Sequence, residues 1–118
     1  MGLPTALRLA HSAEFARVRA EGGSFPGRFI VLSVLKAGDI TGWKCGLITS
    51  KKVGIAVERN RIRRRLREVV RADVEKLAAG SWFVIIARWR APQASFEELK
   101  KDWQAAARRA GLFDDTRP

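Results

Sequence analysis

The run Trp82 to Trp89, WFVIIARW, limits the possible folds more than any other stretch of the chain. Its β-branched and aromatic residues favour a strand, and its nearly unbroken apolar character suits one covered on both faces. Such a strand belongs deep in a sheet. Two further runs, RFIVLSVL from Arg28 to Leu35 and WKCGLITS from Trp43 to Ser50, have a similar composition. With Gly38, Asp39 and Gly42 between them as turn formers, they read as two antiparallel strands.

Helical signals occupy the rest. Ser12 is an N-cap for a short helix through Arg19, with Phe15 and Val18 on one side and Gly22-Gly23 ending it. Between the second and third strands, Ile62, Leu66, Val69, Val70, Val74 and Leu77 recur at helical spacing in one stripe. At 100° per residue, Arg61, Arg64, Arg65, Arg67 and Arg71 fall opposite. A capping box, Ser95 to Glu98, opens a last helix whose stripe is Phe96, Leu99, Trp103, Ala107 and Ala110, before Gly111. The expected fold is α+β, one small mixed sheet packed with helices in the order α-β-β-α-β-α, with one extra short strand admitted. At 118 residues the chain suits one domain over residues 1–118, with residues 1–10 and 114–118 as flexible ends.

The formal net charge is +11, and it is unevenly spread. Residues 51–71 hold nine basic residues, Lys51, Lys52, Arg59, Arg61, Arg63, Arg64, Arg65, Arg67 and Arg71, against Glu58 and Glu68. The other ninety-seven residues carry fourteen basic and ten acidic groups, so the excess is concentrated in one segment. Like charges three or four apart on a helix cost about 0.2–0.5 kcal/mol each. Arg61 with Arg64, Arg61 with Arg65, Arg64 with Arg67, and Arg67 with Arg71 are such pairs. Arg59 and Arg61 also lie near the helix start, where the macrodipole disfavours cations. A solvated face, a nuclear-localisation patch or a membrane-surface patch would account for charge alone. An anionic backbone laid along the face removes the repulsion, and Arg suits bidentate phosphate contact and base stacking. Nucleic acid is therefore the expected ligand.

Other chemistries find little support. His11 is the one histidine and reads as a cap or surface residue; Glu97-Glu98 and Asp114-Asp115 occupy a helix start and a tail. No glycine loop cradles phosphate. Cys45 is the one cysteine, with no Cys or His at metal-ligand spacing, and reads as a small core residue in a reducing compartment. Trp82, Trp89 and Trp103 fit buried faces, and Trp43 is left open. No run approaches the roughly 18 apolar residues of a membrane span. The opening MGLPTALRLA carries no secretory pattern, so cytoplasm is the expected location and no membrane partner is expected.

The stretch SKKVGIAVERNRIRRRLRE, Ser50 to Glu68, resembles the signature of the protein component of bacterial ribonuclease P: a Gly-x-Ala-Val lead-in, an Arg-Asn-Arg motif and a basic helix. The resemblance extends to Glu14, Phe15 and Val18 in the first helix and to Arg28-Phe29 in the first strand. It continues through Gly46, Leu47, Ser50, Lys51 and Lys52, and through the Ile-Ile-Ala-Arg strand within Val84 to Arg88. It implies a ribosomal S5 domain 2-like fold with a left-handed βαβ crossover, against the usual right-handed preference. It also implies a small subunit that binds a catalytic RNA and precursor tRNA while the RNA removes the 5′ leader, using Mg²⁺ held by that RNA. The protein itself would then hold no catalytic residue and no cofactor, as a monomer in a 1:1 complex with the RNA.

Carried onto this chain, the resemblance makes Lys51, Lys52, Arg59, Asn60, Arg61, Arg63, Arg64, Arg67 and Arg71 the RNA-binding set, with Asn60 organising backbone or a bound metal. Phe15, Arg19, Arg28, Ile30, Leu32, Ser50 and Lys51 would line a cleft for the single-stranded leader, a stacking platform in a positive groove. The chain departs from the family pattern at Arg19 and Leu32, where aromatics are usual, and at Ile55, where Asn is usual. The first two shift expected leader binding toward charge. A structural RNA-binding protein of ribosomal type shares the charge, size and sheet, and is the alternative.

Overall fold

The structure, a computed structural model, describes residues 7–113. Its elements are α1 (Ser12–Glu21), β1 (Gly23–Pro26), β2 (Ile30–Lys36), β3 (Trp43–Ile48), α2 (Ala56–Arg71), β4 (Ser81–Ala87) and α3 (Phe96–Arg109). The α+β class and the expected order hold. The extra strand is β1, which ends in Pro26 and lies at a sheet edge, where a missing N–H leaves no gap in the ladder.

The sheet order is β1-β2-β4-β3. β2 and β3 are thus not paired with each other as a hairpin: β4 enters between them, antiparallel to β2 and parallel to β3. The physical reason is the apolar run itself. Phe83, Val84 and Ile85 are at most 1% exposed, and only a place between two strands covers such a segment on both edges and both faces. The connection from β3 to β4 is α2, so the basic helix is the crossover of a parallel pair.

Alternate residues send side chains to opposite faces. Leu32, Val34, Cys45, Phe83 and Ile85 meet Ile62, Leu66, Val69 and Val70 of α2 and Leu99, Trp103, Ala106 and Ala107 of α3. Leu35 and Val84 meet Val18 of α1, with Leu9, Ile40 and the half-buried Phe15, Ile48, Trp82 and Ile86. The stripe expected to run to Leu77 is shared, because α2 stops at Arg71 and a 3₁₀ turn, Val74–Lys76, carries Leu77 into the core. Two carboxylates tie α3 down. Trp103 Nε1 donates to Asp73 Oδ2 at 2.9 Å, and Asp102 accepts the N–H groups of Arg28, Phe29 and Ile30 at 2.9, 2.8 and 3.0 Å.

Several local expectations are corrected. His11, not Ser12, is the N-cap of α1; Glu14 Oε1 accepts from the N–H groups of Ala10 and His11 at 3.0 and 3.2 Å. Residues 7–10, expected within a flexible end, are seated: Leu9 is buried and its N–H donates to the Cys45 carbonyl at 3.0 Å. Residues 1–6 and 114–118, including Asp114-Asp115, lie outside the described residues. Trp103 is buried and Trp82 half-buried, but Trp89 is 57% exposed because β4 ends at Ala87 and the chain turns away before the indole reaches the core. Trp43 is half-buried, its ring 6.0 Å from that of Phe83.

Candidate nucleic-acid interface

The basic helix is held by its apolar underside, with Ile62, Leu66 and Val70 fully buried. Gly54 leaves β3's exit turn at φ 143, a conformation open to glycine, and lets α2 begin at Ala56. From that base the arginines fan over three sides. Arg64 and Arg71 are exposed, and Asn60 beside them is exposed too. Arg63 turns toward β3, where its Nε donates to Thr49 Oγ1 at 2.9 Å and its Nη1 to Asn60 Oδ1 at 3.3 Å. Arg65, placed opposite the core by helical angle, instead sits on a flank and donates to the Ala94 carbonyl at 3.3 Å. Among the described residues, Arg59, Arg61, Arg63, Arg64, Arg65 and Arg67 have no carboxylate within ion-pair distance; Arg71 pairs with Glu68 at 3.4 Å. Nε of Arg59 and of Arg61 is buried without a hydrogen-bond partner in the described chain.

Arg63 and Arg67 converge with Arg8 around a pocket of about 120 Å³, floored by Leu9, Cys45, Gly46 and Leu47 and closed by Phe15. Burial, and then the neighbouring Arg8 and Arg63 charges, hold the Arg67 guanidinium below its ordinary value. Nε of Arg8 is likewise buried without a partner in the described chain. Three guanidinium groups with no acid in the pocket lining are chemically suited to an anion. Sequence reasoning missed Arg8: nothing in LRLA marks it, and only the long-range pairing of Arg8 with Cys45 brings it here.

On the other side of Phe15 lies an open groove of about 610 Å³, lined by Ser12, Phe15, Ala16, Arg19, Ala20 and Ile48. α1 is locked over the sheet beside it. Arg17 donates to both carboxylate oxygens of Asp39 at 2.9 Å, and Lys44 reaches Glu14 at 3.2 Å. Hydrogen bonding to Arg17 holds the Asp39 carboxyl below its usual range. Phe15 can approach β3 this closely because Gly46 has no side chain: a Cβ there would come within 2.5 Å of the ring.

Of the expected cleft residues, Phe15 and Arg19 line the groove, and Ser50 stands exposed two residues beyond Ile48. Lys51 and Lys52 follow, exposed, in a 3₁₀ turn anchored by the buried Val53. Ile30 and Leu32 are not cleft residues: both are 0% exposed, in the core shared with α2 and α3. The register Val31↔Ile86 and Ile48↔Ile86 puts Val31 on the α1 side, and a slip of one residue exchanges the faces. Arg28 is also elsewhere. It lies over Phe29 at 5.1 Å, beside Glu98, Lys101 and Asp102, because Asp102 pulls its backbone toward α3. Among the described residues no three His, Cys, Asp or Glu side chains come together as a metal cluster.

Comparison with known proteins agrees over most of the chain. The family profile named Ribonuclease P matches residues 3–111. The ribonuclease P protein component of Chloroflexus aurantiacus is 40% identical over 111 residues, 92% of this chain and 80% of the relative. That of Symbiobacterium thermophilum is 39% identical over 108 residues, 92% of this chain and 94% of the relative. The solved RNase P protein of Staphylococcus aureus superposes with a TM-score of 0.84 at 27% identity, covering 92% of this chain and 99% of that one.

Proposed function

This chain belongs to the ribonuclease P protein family, and from that premise we propose how its surface serves tRNA 5′ processing. It is the protein component of an endoribonuclease whose catalyst is the RNA subunit. In our reading the outer face of α2, with Lys51, Lys52, Arg59, Asn60, Arg61, Arg64 and Arg71, lies against the phosphates of that RNA. The leader of precursor tRNA runs through the groove beside α1. Phe15 offers its ring to a base, Arg19 and Ser50 flank the strand, and Arg8, Arg63 and Arg67 take a phosphate. Ring on one side and paired cations on the other are what a single strand requires, with little base-edge readout. The protein acts as one domain and one copy per RNA, in the cytoplasm, and Mg²⁺ is used through the RNA.

One observation carries this reading: six arginines of α2 stand on a buried apolar base with no carboxylate partner among the described residues. Polynucleotide phosphate is the countercharge they lack. Reconstitution with a ribonuclease P RNA and precursor tRNA tests it. The protein alone is expected to cleave nothing, and to lower the Mg²⁺ the RNA needs for leader removal. Equal cleavage at low Mg²⁺ with and without the protein would refute it.

A further inference from the structure

We propose that Trp89 and Arg90 form a second stacking platform, which takes an unpaired nucleobase of RNA at the end of the sheet opposite the β2–β3 loop. The proposal rests on the function above and adds a site to it. Trp89 is 57% exposed, and the Arg90 guanidinium lies 5.1 Å from its ring centroid. The last β4 pairs, Ile30↔Ala87 and Ile48↔Ile86, set the indole just past the end of the sheet where β3 leaves toward Ser50, Lys51 and Lys52. The loop that presents it is fixed on both sides. Arg88 N–H donates to the Phe29 carbonyl at 2.9 Å and Arg88 Nη1 to the Gly27 carbonyl at 2.8 Å. After the indole, Ala91 is fully buried and Arg65 holds the Ala94 carbonyl.

A lone exposed apolar residue is ordinary on a protein surface. Here the loop that carries the ring is instead anchored on both sides, a guanidinium lies over the ring, and the stretch holds no acid between Glu75 and Glu97. A protein partner needs about 1,000 Å² of complementary surface. One indole among arginines falls short of that, while one base needs only one ring. Base and guanidinium planes both stack on aromatic faces, and Lys51 and Lys52, on the segment that leaves β3 at the same end of the sheet, supply charge for phosphates of the same strand.

The test uses the reconstituted holoenzyme with Trp89→Ala, Trp89→Phe and Trp89→Leu, checked for native melting. Binding is measured for precursor tRNA with a long leader, for one trimmed to a single leader nucleotide, and for the RNA subunit alone. Stacking on one base implies that Trp89→Ala weakens binding by roughly fivefold to a hundredfold. Trp89→Phe should recover much of that and Trp89→Leu should not, since leucine keeps apolar area without a π face. A loss confined to the long leader places the base in the substrate; a loss in binding of the RNA subunit places it there. If wild type stimulates cleavage while Trp89→Ala binds all three ligands unchanged, or Trp89→Leu restores binding, the platform is refuted and the function stands. If wild type gives no stimulation, the function itself fails, and the platform with it.

Discussion

Gly46 shows how much one missing side chain decides. It lets the Phe15 ring rest on β3 between the groove and the Arg8, Arg63 and Arg67 pocket. Gly46→Ala would place a Cβ 2.5 Å from Phe15 and 3.2 Å from Leu9, so the ring and α1 must lift. The expected cost is about 1–3 kcal/mol in urea unfolding, together with weaker binding of a single-stranded leader. Unchanged stability would mean that Phe15 is not seated there. At the same scale the parity of β2 was illegible. Both faces of Ile30 to Leu35 are apolar but for the buried Ser33, so alternation gives no sign of which residues face α1.

α2 was legible as an element because its apolar period is local, and that period turns Arg64 and Arg71 to the exposed side. Arg64 is exposed and unpaired among the described residues, so Arg64→Ala should weaken RNA binding with no loss of stability. The slope of log affinity against log salt should fall by about one for each phosphate that the variant no longer neutralises. A titration from low to high salt gives that slope. For α1 the measurable quantity is pH dependence. Burial alone would raise Glu14, but the Ala10 and His11 N–H groups and Lys44 outweigh it and leave its pKa below the ordinary 4.5. A carboxylate depressed on folding stabilises fully above its unfolded pKa, and that contribution disappears as pH falls through the folded one. Stability of Glu14→Gln should therefore depend less on pH than wild type in acid below about pH 4.5, in unfolding curves taken across that range.

Over the whole molecule, the proposed RNA-binding face is only as rigid as the core beneath it. Leu66→Ala removes a fully buried anchor between α2 and the sheet and should cost about 2–5 kcal/mol. Because it deletes no cation, the salt slope should match wild type even as the protein melts earlier, and bound RNA should restore part of the melting temperature. A changed slope would mean that the arginines had moved. The sequence by itself determined the element types, the single basic helix with its committed underside, and the family, because periodicity, charge density and a long motif are all local properties of the chain. The tertiary structure alone decided that β4 parts β2 from β3, that Ile30 and Leu32 face α2 and α3, that Arg28 is drawn to Asp102, and that Arg8 joins Arg63 and Arg67. Each of these depends on which distant segment lies alongside, and strand order and facing follow from burial of the whole core rather than from any neighbouring residue.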